Sequence, residues 1–367
     1  MNLDFSEEQK ALKSELRRVL GSRPGVKSAR EALEGRAAFD KALWRQLGEL
    51  GWLSASMPEE HGGQGLGYEM LCCVAEEIGR SLAAIPFSSS IALAAEALLI
   101  AGSKAQKQTH LPALARGERI GALAIAESAG PLEPQSISAV SRNNRITGTK
   151  IGVTDGMIAE VLLTVALRDG EPELFLVDSH ADGVERQLQT GVDPSRAPAR
   201  IRFENAPAEA LGASHGWSGI RRLLDRAAIV VAFEQVGTAD AALEMAKEYA
   251  LSRRAFGRMI GSFQAIKHKL ADVYIANELA RSNAYYAAWA LEADAKSLPL
   301  AAATARIAAT EALERAGREL IQVHGGIGVT WEHDCHLYYR RGQHLGLALG
   351  GLKEWQYRLV AELARAT

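Results

Sequence analysis

Leu223–Asp272 reads LLDRAAIVVAFEQVGTADAALEMAKEYALSRRAFGRMIGSFQAIKHKLAD. A glycine-bearing turn joins two long helical patterns in this stretch. In the first, Ala227, Val230, Val231, Glu234, Thr238, Ala241 and Met245 fall at the spacing of one helix face. Glu234 is the acidic exception on that face, flanked by Val230, Val231, Ala232 and Phe233. Such surroundings disfavour a carboxylate's charged form unless a partner or a function compensates. Two readings stay open: a general base that takes a proton from a substrate, or half of a buried ion pair with Arg340 or Arg341. After the turn, Arg253 and Arg254 offer guanidinium groups, Phe256 an aromatic face and Gln264 an amide. That set suits a cofactor carrying phosphate and an aromatic ring.

Up to about residue 117 the text is helical. Ser6 can cap a first helix, FSEEQKALKSELRRVL, with Glu7 and Glu8 in its opening turn. FDKALWRQLGELGWL gives a second, ending near Gly51, and MPEEHGGQGLGYE is a Pro- and Gly-rich loop. MLCCVAEEIGRSL, SSIALAAEALLIAG and a short run around Lys104–Arg116 follow as helices. Near Glu118 the pattern changes to short apolar runs split by turn residues. IGALAIAE, SAVSRNNRITGTKIGVT, EVLLTVAL, PELFLVD, GVERQLQ and ARIRFEN are strand-like, with NNRITG a hairpin turn region. GASHGW, Gly212–Trp217, reads as the linker out. Four long helices are expected after it, at 220–251, 262–293, 298–323 and about 350–366. Between the last two lies HGGIGVTWEHDCHLYYRRGQHLGLALGG, whose glycines and aromatics predict a loop-rich stretch. The expected fold is α+β and multidomain. It has an N-terminal α-helical domain over 1–117, a middle β-barrel or β-sandwich domain over 118–214, and a C-terminal four-helix bundle over 215–367.

The 367 residues are enough for such a division. With 47% hydrophobic and 23% charged residues the balance is that of a globular protein. A formal net charge of -2 gives no global basic field to recruit nucleic acid or an acidic membrane surface. No apolar run reaches the roughly 18–20 residues of a membrane span. MNLDFSEEQK lacks the features of a signal peptide. Cys72, Cys73 and Cys335 show neither metal spacing nor a disulfide framework, so reduced thiols in a cytoplasmic protein are expected. His324, His333 and His336 also fit no common metal spacing; structural roles, and no metal, are expected for them.

Read in order, FSEEQ, LGELGW, PEEHGGQG, VAEEIGRS, ITGTKIGVTDG, SRRAFGRMIGSFQAIKHKLAD and QVHGGIGVTWEHD resemble the acyl-CoA dehydrogenase family of flavoproteins. The likeness spans essentially the whole chain. It implies FAD as cofactor, with Arg253, Phe256 and Gln264 at the pyrophosphate and adenine end across a subunit interface. Gln322, Gly325 and Gly326 match a segment that reaches the adenosine half from a neighbouring subunit. Thr154 matches a strand residue beside the flavin ring. The implied reaction removes a proton α and a hydride β to the thioester of an acyl-CoA. An electron-transfer flavoprotein or similar acceptor then takes the electrons.

Three departures from the family pattern bear on function. The loop that usually reads T-E-P-x-A-G-S-D is AESAGPLEP here, with Ala126 in place of the hydroxyl; Glu127 aligns, and a surface role is expected for it. The usual catalytic glutamate falls on Leu349, followed by Gly350 and Gly351. The alternative glutamate position is Ala227; Ala228 replaces a neighbouring family arginine, while Asp225 matches and implies acyl-CoA contact. TWEHD-x-HLY-x-RR resembles the subunits of steroid-degrading, heterotetrameric members, which place a base in the helical region of Glu234. The catalytic residue expected on that resemblance is Glu234. Glu332 and Asp334 are expected to cap and to pair with Arg340 and Arg341. The small LGG segment would leave room for a bulky, steroid-type acyl group. Two forms stay open: an active homotetramer, or a partner subunit that completes FAD sites in an α2β2 heterotetramer with a paralogous chain.

Overall fold

A computed structural model describes residues 6–21, 25–213 and 216–366. The helices are α1 (Glu7–Gly21), α2 (Gly25–Leu33), α3 (Lys41–Glu49), α4 (Gly67–Ser81), α5 (Glu96–Ala101) and α6 (Lys104–Ala115), then, after the sheet, α7 (Gly216–Ser252), α8 (Gln264–Glu292), α9 (Leu298–His324), α10 (Cys335–Leu347) and α11 (Leu352–Ala366). The strands are β1 (Gly121–Ala124), β2 (Val140–Arg142), β3 (Arg145–Thr154), β4 (Val161–Arg168), β5 (Glu171–Asp178), β6 (Val184–Leu188), β7 (Pro198–Pro207) and β8 (Glu209–Ala210), with β9 (Arg254–Ala255) and β10 (Arg258–Met259) forming a small hairpin. This is the expected α+β architecture of helices, sheet and helices. The expected linker Gly212–Trp217 lies partly outside the described residues.

The chain packs as two compact units. One comprises residues 37–71 and 85–227 and contains the sheet. Its strand order is β6-β7-β3-β2-β4-β5-β8, with β1 parallel to β4. Asn143 and Asn144 both have positive φ, 49° and 57°, which makes the NNRITG hairpin a type I′ turn. Register shifts in the β3–β7 pairing bend the strand near Gly148 and again before Val153. In this unit a π-helical run, Ser88–Ala95, precedes α5 where an α-helix was expected. Its serines are bonded rather than idle: Gly121 N–H of β1 donates to Ser90 Oγ at 3.0 Å, and Arg196 Nη2, from the turn before β7, to Ser88 Oγ at 2.8 Å. One extra residue per turn lets Ser88, Ser89 and Ser90 meet three different partners, Arg196, Asp155 and Gly121.

The other unit takes the chain up to Arg36, residues 72–84, and everything from Ala228. Ser6 caps α1 as expected: Gln9 N–H donates to Ser6 Oγ and Ser6 N–H to Gln9 Oε1. The core joins Val231, Ala239, Ala242, Ala246 and Ala250 of α7 with Leu313, Ala316 and Leu320 of α9 and Leu337, Tyr338 and Leu345 of α10. Small residues set the spacing. A Cβ on Gly79 of α4 would collide with the Glu234 carbonyl, and one on Gly237 with that of Glu76. Close approach lets Thr238 Oγ1 donate to Gly79 O at 3.1 Å. Glu76 is buried between Lys13 and Arg281. Burial alone would raise its pKa, but those two cations outweigh burial and hold it low. The loop-rich expectation for 324–351 needs correction. Thirteen of those residues form α10, because Leu337, Tyr338, Arg341, Gly342 and Leu345 recur on one buried helical face. Among the described residues, no helix is long and apolar enough to cross a membrane.

Candidate active site

Arg253 follows the last turn of α7, its N–H donating to Tyr249 O at 2.8 Å. The β9–β10 hairpin turns at Phe256 and Gly257, both left-handed, φ 51° and 78°. This is costly for phenylalanine, and its ring is 95% exposed. The Arg258 guanidinium lies 4.0 Å from the Phe263 ring centre. Gln264, exposed, opens α8. Gln322 is exposed near the end of α9, and Gly325, φ 63°, ends it. A Cβ at Gly325 or Gly326 would meet nothing within 4 Å, so the backbone there is open to close approach. Tyr249 and His324 stack with centroids 4.0 Å apart. That contact brings the end of α7 and the end of α9 together, and with them the arginine hairpin and the glycine loop.

A guanidinium fork, exposed amides, an exposed ring and bare glycine backbone fit a dinucleotide's phosphates and rings. The residues present therefore suit FAD. In the sheet-bearing unit, Thr154 ends β3 and is followed by Asp155 at φ 59°. Asp155 is buried and salt-bridged to Arg196 at 2.9 Å, and Ser89 Oγ donates to it at 2.5 Å. This buried network fixes the strand end that carries Thr154. Glu127 is a clasp rather than a surface group: Lys150 Nζ donates to it at 2.6 Å, and Ser138 and Ala139 N–H at 2.8 and 3.0 Å. Burial works against its charge, but those donors hold its pKa below the ordinary value. The AESAGPLEP loop is thus anchored through a side chain although Ala126 has lost its hydroxyl.

Glu234 is 1% exposed on α7. Its Oε1 lies 3.6 Å from Nη1 of Arg341, itself fully buried on α10. Arg341 also donates to Ala83 O. The next residue, Gln235, accepts from Arg306, whose other donors reach Leu345 O and Ala348 O. Burial pushes the Arg306 guanidinium down to about 9, against the charge of Glu234, which favours protonation. Glu234 therefore sits beside two buried cations that tie α7 to α9 and α10. Leu349, just past α10, is left-handed at φ 61°. An acid that sequence spacing did not single out lies against the next residue: a Cβ on Gly350 would collide with the Glu354 carboxylate. Asp225 is buried on α7. Asp334 pairs with Arg30 of α2 at 2.6 Å, not with Arg340 or Arg341, because α2, invisible as a separate helix in the sequence, packs beside it. A cavity of about 730 Å³ lined by Trp44, Arg45, Arg116, Glu118 and Glu160 contains none of these residues.

Helices before and after a sheet, with an exposed surface of arginine, glutamine and glycine, are the arrangement that the sequence resemblance implies. Family models agree: residues 6–118 match the acyl-CoA dehydrogenase N-terminal domain and 214–364 the C-terminal domain. The chain is 35% identical to acyl-CoA dehydrogenase IpdE2 of Mycobacterium tuberculosis, covering 97% of this chain and 98% of that one. Among solved structures it is similar to the ChsE4-ChsE5 complex from Mycobacterium tuberculosis, at TM-score 0.90 and 30% identity over 99% of each chain. It is also similar to a variant of the Tcur3481-Tcur3483 steroid ACAD, at TM-score 0.89 and 32% identity over 98% of each. The chain belongs to the acyl-CoA dehydrogenase family, whose members are FAD-binding oxidoreductases acting on acyl-CoA.

Proposed function

We propose that this chain takes part in the FAD-dependent α,β-dehydrogenation of a bulky, steroid-type acyl-CoA thioester. The observation that carries the reading is the exposed, left-handed Phe256 beside Arg253, at the same end of the helices as the open Gly325–Gly326 backbone. In this reading Arg253 donates its fork to the pyrophosphate, Gln264 and Gln322 hold the adenosine end, Gly325 and Gly326 allow close backbone approach, and Thr154 lies beside the ring system. FAD, when bound, supplies the acceptor for the β hydride. Asp225 contacts acyl-CoA, and Glu234 takes the α proton. Leu349 cannot take a proton, yet its left-handed backbone supports a retained role for its N–H toward the thioester oxygen, where developing negative charge needs a donor. The steroid-type reading rests on the small LGG segment and on the likeness to a steroid acyl-CoA dehydrogenase pair.

A second reading is favoured by the Glu234–Arg341 pair. A carboxylate with a fully buried guanidinium at 3.6 Å has a sufficient structural role. The chain would then complete FAD sites within an α2β2 heterotetramer, with the base on the paralogous subunit. The experiment is flavin bleaching by straight-chain, branched and steroid-derived acyl-CoAs, for the chain alone and co-expressed with a paralogue. A yellow homo-oligomer bleached by bulky substrates supports the first reading. A colourless chain that turns yellow and active only with its paralogue supports the second. Flavin-free protein in both preparations rejects both.

A further inference from the structure

The fold assembles three metal-type donors that sequence spacing kept apart. His324 ends α9, His333 lies in the following loop, and Cys335 opens α10. One donor atom from each lies within 4.8 Å of the other two. We propose that His324, His333 and Cys335 form a zinc site. Zinc bonds of about 2.0–2.1 Å to nitrogen and 2.3 Å to sulfur put neighbouring donors roughly 3.3–3.6 Å apart, so small side-chain rotations close the present arrangement. Two imidazoles and a thiolate favour zinc over the oxygen-seeking magnesium and calcium.

The surroundings prepare the donors. His324 Nδ1 lies 2.8 Å from Leu320 O, and the neutral ring donates its Nδ1–H there. That leaves the Nε2 lone pair for a metal, the arrangement by which a carbonyl orients a ligating histidine. The Tyr249 ring, stacked at 4.0 Å, holds the imidazole plane. The His333 ring centre is 4.7 Å from that of His324. His333 Nδ1 accepts only a long 3.3 Å contact from Cys335 N–H, which a metal bond at Nδ1 would replace. Cys335 is fully buried. On binding, zinc takes the thiolate and the thiol proton leaves to solvent. Three protein donors leave a fourth position for water. The bound ion would clip together the two ends of the loop that carries Gly325 and Gly326, so the proposal deepens the cofactor reading without depending on it.

The test uses the full chain purified with its flavin content recorded. Protein stripped with EDTA is dialysed against zinc chloride and then metal-free buffer, and zinc is counted by mass spectrometry. About one zinc per chain is expected. Affinity, measured by competition with a chromophoric chelator, should fall at least tenfold in Cys335→Ser and His333→Ala, since even outer partners of zinc ligands are worth about 10–100-fold. His336→Ala, outside the trio, should bind as the parent does. Zinc should also slow hydrogen exchange at the backbone amides of Gly325–Thr330 in the parent and not in Cys335→Ser. Zinc absent from the parent, or retained equally by both variants, overturns the site. Zinc bound by a flavin-free chain would leave the site standing, whichever reading of the cofactor holds.

Discussion

Arg253 is the residue whose removal reads most directly on cofactor binding. Arg253→Ala deletes a charge-assisted phosphate contact worth about 1.5–3 kcal/mol. FAD retention through dialysis should fall roughly ten- to a hundredfold, with the fold unchanged because the side chain is exposed. Equal retention by the variant would reject the assignment. Glu234 needs a paired experiment. Glu234→Gln keeps shape but cannot accept the proton, so under the base reading flavin reduction in rapid mixing falls by about 10²–10⁴-fold with stability retained. Arg341→Met leaves Glu234 buried without its guanidinium, and should cost about 3–5 kcal/mol in denaturant unfolding. If Glu234→Gln bleaches within a fewfold of the parent, Glu234 is not the base and the structural ion pair accounts for it. The sequence exposed Glu234 as anomalous because one acid on an apolar face is visible in a periodic pattern. Its distance to Arg341 was not visible, since 107 positions separate them and only the packing of α7 on α10 makes them neighbours. The same limit hid His324, His333 and Cys335, whose linear spacing matches no common metal pattern.

At the scale of elements, the α4–α7 crossing sets where Glu234 sits. Gly79→Ala places a methyl against the Glu234 carbonyl, which is backbone and cannot rotate away. The helices must part, and overpacking of this kind costs about 1–3 kcal/mol, seen as a lower denaturant midpoint with unchanged slope. Gly21→Ala, at the end of α1 with nothing within 4 Å of the new carbon, should be neutral or stabilise by up to about 1 kcal/mol. Equal effects of the two changes would mean the crossing is loose. Strong local signals made most elements readable. Ser6 caps α1, and Asn143–Asn144 turn β2 into β3, because short side chains satisfy or tolerate special backbone geometry. Elements failed to show where local signals compete. Glycines at 342 and 346 disguised α10, although the buried Gly342 faces Leu313 and the pair packs well without a side chain. The π-helical run looked α-helical because its sequence is apolar throughout, and its hydrogen bonds to the sheet are set by tertiary partners.

For the whole molecule, the unanswered surface is the outer face of α8. Tyr274, Ile275 and Leu279 are 57%, 55% and 60% exposed and lie within two turns of that helix. Three large apolar side chains grouped in this way mark an association surface more often than a solvated one. Tyr357 and Val360 on α11 of the same unit are also exposed. The alanine-rich start of α9 is instead buried, so its small residues serve packing within the chain. An assembly held by the helical bundle, four like chains or two pairs with a paralogue, is therefore tested at the α8 patch. Leu279→Glu would place a charge in the middle of the patch. A carboxylate forced into an apolar contact without a partner costs several kcal/mol, and closed symmetry repeats that cost at every equivalent interface. Multi-angle light scattering at micromolar concentration should therefore give a tetramer for the parent and smaller species for the variant. Circular dichroism should be unchanged, because Leu279 is exposed within its own chain. If FAD is held across subunits, the variant should also lose its yellow colour while keeping Arg253 intact. A parent that runs as a monomer would remove α8 as the interface, and would leave the exposed Phe256 without a neighbouring chain to share its cofactor.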